Sequence, residues 1–79
     1  MNLANAVSKR TKELLLKNKI TQYRLTKTTC LNEKTIRDLL NNRTSDIKLS
    51  TIFLIAQTFN MTLEEFFNSD IFANENIEL

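Results

Sequence analysis

The chain has 79 residues, with one cysteine and no histidine, glycine or proline. A chain of this length forms one small domain that buries roughly 60% of the surface exposed by its unfolded form. A single cysteine excludes an internal disulfide, and the lack of histidine argues against a zinc site. We expect Cys30 to be a small buried apolar residue. No apolar run approaches the ~20 residues that cross a bilayer, and no signal-peptide pattern opens the chain. We therefore expect a cytoplasmic protein with no membrane contact.

The charges are separated along the chain. Eleven basic and four acidic residues lie in the stretch that ends at Lys48, whereas the stretch from Leu49 onward has five acidic residues and no basic one. A solubilising surface alone would not separate the two signs so completely. A basic half is the electrostatic feature expected of a protein that binds a polyanion.

Apolar residues recur at helical spacing and strand-like alternation is absent, which predicts an all-α fold. Five helices are predicted, beginning near Asn5, Thr21, Asn32, Ser50 and Thr62. The first ends near Asn18, with Val7, Thr11, Leu14 and Leu15 on its inner face. The second, third and fifth helices share a start signal, an N-cap residue with apolar residues at N′ and N4: Ile20 and Leu25, Leu31 and Ile36, Met61 and Phe66. Glu65 completes a capping box with Thr62.

The second and third helices are separated by a very short turn. The second ends near Thr28 and the third is nucleated at Asn32, which is the helix-turn-helix arrangement. No glycine eases this turn. Asn42, which follows the third helix, is suited to a left-handed position.

The residues that match a known sequence pattern are Thr21, Gln22, Leu25, Leu31, Thr35, Ile36 and Leu39, then Leu49, Ile52, Ile55, Ala56, Phe59 and Met61 to Phe66. With these, residues 7–67 resemble the Cro/repressor-type (XRE) helix-turn-helix family. The resemblance implies a compact five-helix, lambda-repressor-like DNA-binding domain over residues 1–67. Thr26 and Cys30 replace the small alanine and the turn glycine of the family. Leu15 and Leu40 together replace an ion pair, so we expect them to touch.

In that family the third helix, here about residues 32–41, lies in the DNA major groove. The resemblance implies that the base-reading residues are Glu33, Lys34, Thr35, Asp38 and Gln22. It implies that the phosphate-binding residues are Thr21, Arg37, Asn41, Arg43 and Thr44. Lys34 would donate to guanine, and Glu33 or Asp38 would accept from cytosine.

Other interpretations of these charges stay open. The outer side of the third helix would also suit an ordinary solvated face with paired charges, and Arg37 would then pair with Glu33. Lys9, Arg10, Lys27 and Lys48 are either peripheral phosphate contacts or solubilising charges. Tyr23 either contacts a phosphate or packs on the surface.

Residues 68–79 form an acidic tail with Ile71, Phe72, Ile77 and Leu79. These apolar residues either pack back across the first helix or cover Phe66 and Phe67 at a dimer contact. Members of the family commonly bind palindromic operators as dimers, so we expect a homodimer.

The leading functional hypothesis is sequence-specific binding of double-stranded DNA by a small transcriptional regulator, a repressor of bacterial, phage or mobile-element origin. The alternative is an antitoxin-like module that neutralises a protein partner through the acidic, apolar C-terminal part. An enzyme is disfavoured because the single cysteine has no adjacent base and the Glu64-Glu65 pair is explained by capping. We expect no metal and no cofactor.

Overall fold

The computed structural model describes residues 1–79 and contains no strand. Its α-helices are α1 (Leu3–Asn18), α2 (Gln22–Thr29), α3 (Glu33–Leu40), α4 (Leu49–Thr58) and α5 (Leu63–Phe67), followed by two short 3-10 helices, Asp70–Phe72 and Asn74–Asn76. The prediction of an all-α domain with five helices is confirmed. None of the helices has the length and apolar character needed to cross a bilayer.

Side-chain caps fix the starts of four helices. The side chain of Thr21 accepts from the amide of Arg24 at 3.1 Å, and that of Asn32 accepts from the amide of Lys34 at 2.7 Å. Thr62 and Glu65 form the predicted capping box. Asn2 caps α1, accepting from the amide of Asn5 at 2.7 Å, so α1 begins two residues earlier than predicted. The predicted staple-and-cap signals therefore mark real helix starts.

Left-handed residues replace glycine in the turns. Four non-glycine residues have positive φ, namely Lys19, Cys30, Asn42 and Asn60. Cys30, with φ 58°, is the C-cap of α2. Our expectation that Cys30 is buried was wrong, because the residue is exposed. It occupies the surface turn between α2 and α3, where its Sγ lies 3.7 Å from the carbonyl oxygen of Lys27.

The core lies between the helices and is built from their inner faces. Its ten buried residues are Val7, Leu14, Leu25, Ile36, Leu39, Leu40, Ile52, Ile55, Ala56 and Phe66. α1 packs against α3, and α2 packs against α4. Leu15 packs against this core, and it lines one surface depression together with Leu40. The two leucines thus lie together, where the family has an ion pair.

The tail, residues 68–79, folds back onto the domain. Its first 3-10 helix contacts α1, and Ile71 is buried. The ring of Phe72 lies 4.9 Å from that of Phe67 and 6.1 Å from that of Phe66, measured between centroids. The amide of Glu78 donates to the carbonyl oxygen of Met1 at 2.8 Å. Ile71 and Phe72 of the tail are therefore packed within the molecule, whereas Leu79 is exposed.

Candidate nucleic-acid interface

The third helix separates an apolar inner side from a polar outer side. Ile36, Leu39 and Leu40 are buried in the core and fix the rotation of the helix. This rotation leaves the remaining side chains facing water, and these are Glu33, Lys34, Thr35, Arg37 and, half-exposed, Asp38. The four outward residues predicted from the pattern are thus outward in the structure.

Two ion pairs cover this outer side. The Nζ of Lys34 lies 2.7 Å from Oδ2 of Asp38, and a guanidinium nitrogen of Arg37 lies 3.8 Å from a carboxylate oxygen of Glu33. Exposed pairs of this kind stabilise a helix only slightly, because water screens them. These ion pairs therefore separate readily when another hydrogen-bonding partner binds. In the free protein, however, Lys34 is oriented by Asp38 and the outer side of α3 carries no net charge.

The Asp38 carboxylate is held in its ionised form. The hydrogen bond from Lys34 lowers the pKa of Asp38 below its ordinary value of 3.8, and the charges of Lys34, Arg37 and Arg43 lower it further. Partial burial acts in the opposite direction. At neutral pH, Asp38 is therefore only an acceptor, which suits a base amino group and disfavours a phosphate.

Gln22, the first residue of α2, links several parts of the surface. It lines one groove with Tyr23, Thr26, Lys27 and Glu33. It also lines the depression that contains Leu15 and Leu40, together with Lys12, Leu16 and Asn41. Gln22 is thus brought close both to the start of α3 and to the residues after it.

The start of α2 presents free backbone donors. Thr21 caps the helix, and the first-turn amides of Gln22 and Tyr23 have no intrahelical acceptor. Such amides bind phosphate oxygens well. Tyr23 is 71% exposed, and the Nζ of Lys27 lies 5.3 Å from the centroid of its ring. This contact agrees with surface packing of Tyr23.

The segment after α3 is tied to the helix by its backbone. The amide of Arg43 donates to the carbonyl oxygen of Asp38 at 2.8 Å, and the amide of Asn41 donates to that of Arg37 at 3.0 Å. Both side chains are exposed, whereas Thr44 is half-buried and lines one depression with Thr35 and Lys48. Of the predicted phosphate-binding residues, Asn41, Arg43 and Thr44 therefore lie directly after the end of α3.

Comparison with known proteins identifies this arrangement of helices. Residues 10–69 match the model of a family described as the Cro/C1-type HTH DNA-binding domain. The chain belongs to this family. The resemblance drawn from the sequence is confirmed, and the protein carries a DNA-binding domain. No curated protein and no solved structure gives a significant match.

One basic residue of this Cro/C1-type domain has a structural role instead of the peripheral phosphate role considered for it. Arg10 donates from Nε to the carbonyl oxygen of Phe66 at 2.7 Å and from an Nη to that of Glu65 at 3.0 Å. Its guanidinium also lies 5.9 Å from the centroid of the Phe66 ring. Because its donors bind the end of α5, the interpretation of Arg10 as a phosphate contact is not supported.

Lys12 is a candidate phosphate contact that the sequence analysis did not identify. It lines one depression with Gln22 and Asn41 and another with Lys9 and Asn42. These contacts place an exposed ammonium beside the Cro/C1-type helix-turn-helix. The signal was present in the sequence, because Lys9 and Lys12 are three residues apart and therefore share a face of α1.

Proposed function

We propose that this Cro/C1-type protein is a transcriptional regulator, acting as a repressor, that reads double-stranded DNA with α3 in the major groove. Two copies bind an inverted repeat as a homodimer. Lys34 donates to guanine, while Glu33, Thr35, Asp38 and Gln22 complete the base-reading set.

The observation that carries this proposal is that one side of α3 is buried in the core and the other side faces water. Three buried residues hold the helix by one side. On its other side, Glu33, Lys34, Thr35 and Arg37 are exposed and Asp38 is half-buried. An ordinary solvated helix face would not require neighbouring segments that present exposed hydrogen-bonding groups beside both of its ends. Here the free amides at the start of α2 and the segment from Asn41 to Thr44 flank it, as phosphate contacts flank a recognition helix.

The outer side of α3 contributes to the specificity of DNA binding, whereas the non-specific affinity comes from residues around it. Because Glu33 pairs with Arg37 and Lys34 with Asp38, α3 itself adds little attraction to random DNA. Non-specific affinity then comes from residues around it, such as Thr21, Asn41, Arg43 and Thr44. If about five basic residues of the domain contact phosphates, log K falls against log salt with a slope near −4.5.

Selection from random duplex DNA tests the proposal. The purified protein is incubated with a pool of duplexes at moderate salt, and the bound fraction is sequenced. We expect an enriched inverted repeat whose half-sites lie about ten base pairs apart. A folded helical protein that enriches no sequence would refute the proposal.

The antitoxin-like alternative has less support. It requires an apolar C-terminal surface that is free to bind a partner, whereas Ile71 is buried and Phe72 packs on Phe67. Co-purification with a protein partner that covers the tail would support the antitoxin-like alternative.

A further inference from the structure

A groove lies between the start of α2 and the start of α3. It is lined by Gln22, Tyr23, Thr26 and Lys27 of α2 and by Glu33, the first residue of α3. Its volume of about 530 Å³ is within the range that holds small ligands. The proposed function assigns base reading to Gln22 and Glu33 and gives no role to the three residues that share the groove with them.

Tyr23 presents the largest apolar surface in this groove. Its side chain is 71% exposed, so the core does not require it. The Nζ of Lys27 lies 5.3 Å from the centroid of the Tyr23 ring, and a cation in this position is attracted to the face of the ring. The ammonium group covers one face, and the rest of the ring remains open to the groove.

Thr26 extends the apolar surface beside the ring. Its hydroxyl donates to the carbonyl oxygen of Gln22 at 3.0 Å. Because this bond uses the hydroxyl hydrogen, Thr26 adds a methyl group to the groove and no free donor. The groove therefore combines two apolar groups, from Tyr23 and Thr26, with the carboxylate of Glu33 and the side-chain amide of Gln22.

This combination matches one feature of the DNA major groove. The 5-methyl group of a pyrimidine is the apolar group on the base edges there, and it is the part of the base edge nearest to the backbone of its own strand. The groove reaches from the start of α2, which we place on a phosphate, to Glu33, which we place on a base. A pyrimidine 5-methyl group lies between those two contacts.

We propose that the groove takes the 5-methyl group of a pyrimidine, packed between the Tyr23 ring and the methyl group of Thr26. Tyr23 is then a specificity-determining residue on α2, in addition to the base-reading residues of α3. This inference rests on the proposed function and adds an apolar contact to its polar ones.

Two pyrimidines carry this methyl group, thymine and 5-methylcytosine. They differ in the neighbouring group, which is the O4 acceptor in thymine and the N4 amino donor in 5-methylcytosine. The carboxylate of Glu33 accepts only from the amino group, whereas the amide of Gln22 can donate to O4. The test therefore has one arm for each base.

The test removes or adds one methyl group of the DNA at a time. In the half-site enriched by selection, each thymine is replaced in turn by uracil, and each cytosine in turn by 5-methylcytosine. Wild type is compared with Tyr23→Ala and with Tyr23→Phe, the matched control that keeps the ring and removes only the hydroxyl. Fluorescence anisotropy measures Kd, and circular dichroism checks that each variant is folded.

At one position in the half-site, we expect the methyl group to change the Kd of wild type about fourfold, as burial of one methyl group predicts. Removal of the methyl group should weaken binding there, or its addition should tighten it. Tyr23→Phe should respond in the same way, and Tyr23→Ala should not respond at that position.

Three results would overturn the inference and leave DNA binding intact. The first is a wild type that responds to no methyl group, and the second is a Tyr23→Ala variant that responds as wild type does at every position. The third is a Tyr23→Phe variant that loses as much affinity as Tyr23→Ala with or without the methyl group, since the hydroxyl would then be a phosphate contact. Failure of wild type to distinguish the half-site from random DNA would instead overturn the proposed function, and this inference with it.

Discussion

Replacing Arg10 by methionine should destabilise the domain strongly without removing a phosphate contact. The substitution keeps an unbranched aliphatic stem but removes two charged donors, which lie 2.7 Å and 3.0 Å from the carbonyl oxygens of Phe66 and Glu65. Hydrogen bonds from charged groups contribute about 1.5–3 kcal/mol each. One of these is partly buried and the other is exposed, so we take the lower end of that range for the exposed one.

The sum, with a cation–π contribution of about 0.5 kcal/mol, predicts a loss of about 3.5–5 kcal/mol in the free energy of unfolding. That is a large share of the stability of a small domain, about 0.05–0.15 kcal/mol per residue. Urea unfolding followed by circular dichroism measures it. Lys9→Met is the matched control, since Lys9 is exposed and the neighbouring residue in sequence.

Two results would refute this reasoning. If Arg10→Met and Lys9→Met lose equally little stability, the guanidinium does not hold α5. If Arg10→Met instead flattens the dependence of log K on log salt by about one, Arg10 is a phosphate contact after all.

Three further predictions concern single residues. Arg43→Ala should weaken binding to specific and random duplexes alike and flatten the salt slope by about 0.9; a loss confined to the specific duplex would assign Arg43 to base reading. Cys30→Gly should raise the free energy of unfolding by about 0.5–1 kcal/mol because φ is 58° there, and a left-handed residue with a Cβ is strained; Cys30→Ala, which keeps the Cβ, is the control, and no gain from glycine would contradict the turn geometry. Folding lowers the pKa of Asp38 below its ordinary value of 3.8. The ionised carboxylate therefore stabilises the domain at any pH above that ordinary pKa. This stabilisation is lost as the pH falls through the lower pKa of the folded protein. The stability difference between wild type and Asp38→Asn should therefore shrink in acid, and a difference that grows in acid would contradict the Lys34–Asp38 pair.

The local features of the fold were predictable from neighbouring residues. Each cap joins residues at most three positions apart in the chain. The helix starts at Thr21, Asn32 and Thr62 were therefore predictable from the sequence. The outer side of α3 follows from helical periodicity, because Ile36, Leu39 and Leu40 must face one way. The family pattern then supplied the packing of the helices against one another.

Features that depend on distant contacts were not predictable. Arg10 meets residues more than fifty positions away, and no local pattern distinguishes it from a surface charge. Cys30 was misjudged because free cysteines are usually buried, whereas its position was decided by the need for a left-handed turn. The pair between Lys34 and Asp38 was not predicted, because it depends on side-chain rotamers that the spacing leaves open.

The most direct test of the account is to repeat the selection from random duplex DNA with Lys34→Ala and compare the enriched motif with that of wild type. If α3 reads the major groove, the variant should recover the same repeat and spacing but lose its preference at one G·C pair in each half-site, a contact worth about 1–3 kcal/mol. An unchanged motif for Lys34→Ala would contradict the assignment of α3 as the recognition helix.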